Sequence, residues 1–289
     1  MATTIAAPAA RGVLGRAERR PTRLTSALLT LARRRASLTA SNPRQIAVPL
    51  MTPILFATVI APALKAALGG LHSHIDYTAF VAVGTVGLLV PLAATFAGLS
   101  VIVDRASGAQ RELLAAPIPR ALLVIGNLGV VLALCALQVG AVIGVAALRG
   151  ASFDASGAGV AWFVGASVLF AVLMYSLAEI LASRIANQEE YIAATPIVAI
   201  VPWFFAGALF PIGALPGALT TFAKFLPLTH ALALMRYGLV DPRGTGLHDI
   251  WGSGISTTAQ AWLSLAVVGA FAAALIVLAV RSFTRAAVQ

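Results

Sequence analysis

Charge is what this sequence has least of. Only 10% of its 289 residues are Asp, Glu, Lys or Arg, whereas a soluble domain carries roughly 25%. With 60% of the residues hydrophobic and a mean hydropathy of +0.93, there are too few polar side chains to cover a water-facing surface. An ordinary soluble enzyme or binding module is excluded. Lysine is nearly absent: Lys65 and Lys224 stand against eighteen arginines, and neither lies in a GxxxxGK[ST] loop. Without the amides of such a loop around the phosphates and its lysine on the terminal one, the chain is not expected to hydrolyse ATP. The lone cysteine, Cys135, sits inside an apolar run, so no disulfide framework or cysteine-based metal site is possible. His72, His74 and Asp76 have ligand-like spacing, but three candidates with no supporting residues read as a polar loop, and no metal is expected. There is no nucleophile elbow and no paired-carboxylate arrangement, which argues against enzyme chemistry inside the membrane.

The charge that exists is clustered between long apolar runs, the pattern of a polytopic bilayer protein. A net charge of +10 would suit nucleic acid if it lined one folded face. Here the cations lie in the connections, so no nucleic-acid partner is expected. Residues 1–45 form a basic lead with nine arginines against Glu18. Within it Leu24, Ala27, Leu28 and Leu31 recur at helical spacing, which predicts a helix in the membrane interface over 22–40. Six spans follow in a domain covering 46–285: Ile46–Leu68, Tyr77–Val103, Ala121–Leu148, Val160–Ala182, Tyr191–Phe210 and Gln260–Val280. Each can cross ~30 Å of hydrocarbon at 1.5 Å per residue. The expected fold class is therefore an all-α integral membrane protein. With the N-terminus inside, the inner segments hold fifteen Lys and Arg and the outer ones five, so both termini are expected in the cytoplasm.

Two connections are more than loops. Inner segment 104–120 reads DRASGAQRELLAAPIPR, in which Ser107 and Gln110 make a capping-box pattern ahead of a short helix stopped by Pro117 and Pro119. Outer segment 211–259 is too apolar over 213–239 to be free, and prolines 211, 216 and 227 cut it into pieces too short to span. It is expected to be re-entrant or interfacial, which is tolerated only under cover of protein or along a wet cavity.

These connections resemble those of the ABC transporter type-2 permease family. The inner segment is similar to its coupling-helix region, and the resemblance implies that Asp104, Arg105, Arg111, Glu112, Leu113 and Leu114 meet an ATPase. FFAGALFPIGALP (Phe204–Pro216) and FLPLTHALALMRYGL (Phe225–Leu239) are similar to its fifth-to-sixth connection, with Pro227, Thr229 and Arg236 as the matching outer residues. Leu226 stands where asparagine is usual, and Ala106 and Ala109 where charge is common. The resemblance implies the membrane subunit of an exporter in the plasma membrane. It would pair with a second copy or a related permease and with a cytoplasmic ATPase that holds ATP and Mg. The closest flavour is the daunorubicin-resistance type of drug permease. The substrate would be hydrophobic or amphipathic, a drug or lipid-like molecule. A glycan or lipid-linked polymer is the alternative within transport, and a non-transporting sensor or membrane enzyme the alternative outside it.

Within the spans, Glu179 is the one carboxylate, and Asn127 and Gln138 are amides fit to bind substrate or a neighbouring helix. Trp203, Phe204, Phe205 and Phe210 crowd the outer end of the fifth span. Helical spacing of ~100° per residue puts Phe204, Phe205 and Phe210 on one broad face as an apolar outer gate, and Trp203 toward lipid.

Overall fold

The computed structural model describes residues 24–41, scattered positions between 51 and 66, and residues 76–115 and 119–286. The expected first span, 46–68, and the basic tail before Leu24 lie for the most part outside the described residues. Among those described, the chain is all-helical. It runs through α1 (Leu24–Ala40), α2 (Tyr77–Ala106), α3 (Ala109–Ala115), α4 (Ala121–Leu148), α5 (Gly157–Arg184), α6 (Gln188–Phe205), α7 (Gly217–Phe225), α8 (Pro227–Leu239), α9 (Thr245–Trp251) and α10 (Thr257–Ala286).

Four described helices, α2, α4, α5 and α10, are long and apolar enough to cross a membrane. The sequence placed these four within a few residues of their ends. Helix α7 and helix α8 are bent by 85° against each other and count as a fifth crossing only if taken together as one broken span. Helix α6 is shorter than the expected span 191–210. It opens on Gln188, Glu189 and Glu190 and ends at Phe205, which leaves fewer than the ~20 apolar residues a crossing needs.

Helix α2 is the axle of the bundle. Twenty-one of its thirty residues are buried, because α4, α5, α6 and α8 all pack on it. Pro91 sits inside it without ending it. Asp76 caps its start, accepting from the Thr78 amide at 2.9 Å, and also receives the Ser152 amide at 2.8 Å, so one carboxylate ties α2 to the α4–α5 connection. His72 and His74 lie outside the described residues.

The second limb of the bent pair, α8, is buried between α5, α10 and α2. Its approach to α5 depends on two glycines. A Cβ on Gly159 would stand 2.1 Å from the Gly238 carbonyl oxygen, and one on Gly238 2.4 Å from that of Gly159. Small residues let membrane helices meet backbone to backbone where no hydrophobic effect drives them together.

Arginines close two helix ends. Arg105 donates to the Ile185 and Ala182 carbonyls beyond and within the last turn of α5, and Arg120 to the Thr284 carbonyl near the end of α10. The last carbonyls of a helix have no intrahelical donor and carry the negative end of its dipole, so a guanidinium there satisfies both.

Candidate functional site

The described bundle has polar machinery at two ends. At the α3 end, the last turn of α2 presents Asp104 and Arg105 toward different helices. Asp104 Oδ2 accepts from Arg35 Nη1 at 3.3 Å, and its Oδ1 lies 3.8 Å from Arg34 Nη2. Arg35 is only 7% exposed, and its Nη2 donates to the Ala97 carbonyl at 3.2 Å. Burial lowers the pKa of this guanidinium, while the Asp104 carboxylate beside it acts in the other direction. Arg105 reaches the end of α5 instead, with Nη2 2.6 Å from the Ile185 carbonyl and 3.2 Å from that of Ala182. Both residues, expected from the sequence to meet a partner, have their side chains engaged within this chain.

The chain then reverses through Ser107 and Gly108, the latter at φ +80°. The expected capping box does not form. Ser107 is helical, spends its amide closing α2 on the Val103 carbonyl, and donates its hydroxyl to the Asp104 carbonyl. A capping residue needs extended backbone, so Ser107 ends one helix instead of starting the next. Helix α3 follows with Arg111 and Glu112 exposed, while Leu113 and Leu114 lean on the core. A cavity of about 280 Å³ lies between α1, α2, α4 and the start of α6, lined by apolar residues such as Phe96 and Leu134 and by the polar Arg35, Asp104, Ser100 and Gln188.

Deeper in the bundle, Glu179 is 3% exposed. The Tyr175 hydroxyl, one turn earlier on α5, lies 2.6 Å from Glu179 Oε1 and 2.7 Å from the Val124 carbonyl of α4. Asn127 reaches the same hydroxyl. Gln138 is fully enclosed on α4, and its Oε1 has no hydrogen-bond partner among the described residues. Glu179 and Asn127 are thus brought together, and Gln138 stands apart from them.

At the opposite end, Arg236 of α8 is buried and bonds backbone. Nη1 donates to the Gly207 carbonyl and Nη2 to that of Ala208, both at 2.7 Å, and its Cζ lies 3.4 Å from the centroid of the Phe80 ring. Gly207 and Ala208 follow the Ala206 cap at the end of α6, so Arg236 holds the exit from that helix. Tyr77 adds a hydrogen bond to the Leu209 carbonyl. Trp203 donates its indole N–H to the Gly84 carbonyl at 2.8 Å, and a Cβ on Gly84 would collide with the Ala208 oxygen at 1.9 Å. Pro227 opens α8, where its missing N–H costs nothing, and Leu226 supplies no side-chain cap. Thr229 is buried, and its hydroxyl has no partner among the described residues.

Two expectations about the aromatic cluster are overturned. Trp203 does not face lipid: it is 2% exposed, because its N–H finds a buried acceptor across on α2. Phe210 shares no helical face with Phe204 and Phe205, since α6 ends at Phe205 and the chain turns at Gly207, φ +77°. Phe204 is 52% exposed, whereas Phe205 packs edge-on against Phe222 of α7, ring centroids 5.7 Å apart.

Sequence reasoning passed over Arg35, Tyr175 and Tyr77. For Arg35 the signal was present: Leu28, Leu31 and Arg35 fall three and four residues apart, on one helical stripe. It was read as one of a run of inner cations. For the tyrosines no local pattern separates a buried hydroxyl from an interfacial one.

This geometry defines a multi-pass helical membrane protein with a charged, exposed short helix at one end and a buried bent pair at the other. A sequence model of the ABC-2 type transporter family matches residues 26–240. The chain belongs to that family, whose members are the membrane components of ABC transporters, work with a cytoplasmic ATPase and often dimerise. A similar protein is Nodulation protein J of Rhizobium leguminosarum bv. trifolii, 27% identical over 197 residues, 65% of this chain and 71% of that protein. The expectation of drug efflux and antibiotic resistance finds no support in that comparison.

Proposed function

We propose that this chain is the six-span membrane subunit of an ATP-driven exporter in the plasma membrane. Both termini and α3 are cytoplasmic, α1 lies along the inner interface, and α7–α8 re-enter from outside. A separate ATPase binds ATP and Mg, and a second copy or related permease completes the path for a hydrophobic or amphipathic substrate. The observation that carries this reading is α3, a seven-residue helix set between two apolar spans with Arg111 and Glu112 turned outward. Charged side chains on so short an exposed helix suit a protein contact, since neither Arg111 nor Glu112 has a side-chain partner among the described residues. Support for the substrate class comes from the 280 Å³ cavity, which offers apolar and charged lining groups to one molecule.

Two experiments test this. Glu112→Lys should leave insertion and melting unchanged but abolish co-purification of the ATPase and ATP-driven efflux of a fluorescent single-chain amphiphile from proteoliposomes. Normal efflux by this variant would remove α3 from the mechanism. For orientation, a Cys135→Ser background carrying Ala155→Cys or Arg243→Cys should react with an impermeant maleimide on intact cells. Ala109→Cys and Asn187→Cys should react only after permeabilisation. The reverse pattern would put α3 outside.

A further inference from the structure

We propose that Asp104 and Arg105 form a two-armed junction, in which Asp104 passes movement of α3 to α1 and Arg105 passes it to the α5–α6 connection. This rests on the export reading above and changes the role of both residues. They are positioning residues within the permease, and contact with the ATPase falls to Arg111 and Glu112.

The geometry points this way for three reasons. First, neighbours on a helix diverge by ~100°, so adjacent residues at the end of α2 reach different helices. Asp104 meets Arg34 and Arg35 of α1, and Arg105 meets the Ala182 and Ile185 carbonyls of the α5 terminus. Second, both ion pairs found among the described residues converge on Asp104. In a chain this poor in charge, that concentration four residues ahead of Gly108 and the start of α3 marks the place where α1 is held. Third, α3 is anchored to the bundle by Leu113 and Leu114, so a push on its exposed face shifts the end of α2 rather than folding α3 aside.

The two arms differ in stiffness. The Asp104 and Arg34 side chains are 20% and 38% exposed, so water can replace their contact as it opens, while Arg35, 8% exposed, stays on the Ala97 carbonyl. Arg105 grips two carbonyls at a helix terminus, and releasing them leaves polar groups without donors. The α1 arm is the compliant one. Because Arg35 and Leu38 of α1 line the 280 Å³ cavity, movement along this arm alters its volume.

The test uses the permease purified with its ATPase subunit, in a Cys135→Ser background carrying one of two spin-label pairs. Leu29→Cys with Leu148→Cys reports α1, and Ala186→Cys with Leu148→Cys reports the α5–α6 connection; Leu29, Leu148 and Ala186 are all exposed. Distances are compared without nucleotide and after trapping with ATP and vanadate. The unaltered complex should show a nucleotide-dependent shift in both pairs. Asp104→Asn and, independently, Arg35→Gln should lose the α1 shift and keep the other, with the ATPase still bound. Arg105→Gln should show the opposite selectivity, and Asp104→Glu should restore the α1 shift. The junction is overturned if Asp104→Asn releases the ATPase, if it leaves the α1 shift intact, or if both shifts vanish together in each variant. If the unaltered permease retains no ATPase, the export reading itself fails, and co-purification shows this before any distance is measured.

Discussion

Arginine is used in two ways at the two ends of this molecule. At the α3 end Arg34 and Arg35 reach a carboxylate that is partly open to water. At the α7–α9 end Arg236 is enclosed and donates to backbone carbonyls just past α6. Where both partners are partly exposed, as Asp104 and Arg34 are, the pair opens at little cost because both charges are rehydrated; Arg35 beside them is buried and stays on the Ala97 carbonyl. A buried guanidinium serving carbonyls cannot open without stranding several polar groups at once. The difference teaches that one end is built to change its contacts and the other to keep them, although both look alike as isolated arginines in a hydrophobic sequence.

The comparison predicts an order of stability effects, read as the rate at which buried Cys135 becomes reactive on heating in detergent. Arg236→Met should be the most damaging, at about 2–5 kcal/mol, since the Gly207 and Ala208 carbonyls each lose a donor worth about 1–3 kcal/mol when buried. Arg236→Lys should recover only part, because an ammonium cannot fork onto both oxygens. Trp203→Phe comes next, at about 1 kcal/mol, with the ring kept and the bond to Gly84 lost. A neutral result there would mean that the Gly84 carbonyl finds another donor. Asp104→Asn should cost about 1 kcal/mol, since the partly exposed Arg34 rehydrates and the buried Arg35 keeps the Ala97 carbonyl and an amide oxygen in place of the carboxylate. A loss as large as that of Arg236→Met would erase the distinction between the two ends. Phe204→Ala should be nearly silent for stability, since half of that ring is exposed. Its effect, if Phe204 and Phe205 line the outer exit, belongs in the leak of dye or ions through reconstituted protein.

How much of this could be read from the residues varies by feature. The boundaries of α2, α4, α5 and α10 were legible because each is a run of some thirty residues in which hydropathy changes abruptly at the ends. The short helix after the second span and the bend near Pro227 were legible from local punctuation by glycine and proline. The end of α6 was not, because Ala206 and Ala208 continue the apolar run and only the positive φ of Gly207 breaks the helix. The capping box failed for a related reason: Ser107 has the right spacing, but its backbone had already been claimed by α2.

What the chain alone determined is whatever depends on sums over neighbouring residues: an apolar, helical, membrane-spanning protein, the positions of its long helices, and the segments that break them. Tertiary structure alone decided which polar groups meet. Arg35 and Arg33 stand two residues apart in one basic run, yet Arg33 is exposed and Arg35 is buried against Ala97 and Asp104. Trp203 and Phe204 are adjacent, yet one is sealed inside and the other half bare. A helix turns every side chain about 100° from its neighbour, so the same local composition offers a polar atom to solvent, to lipid or to a buried carbonyl. The choice among these is made by the helix that crosses in front of it.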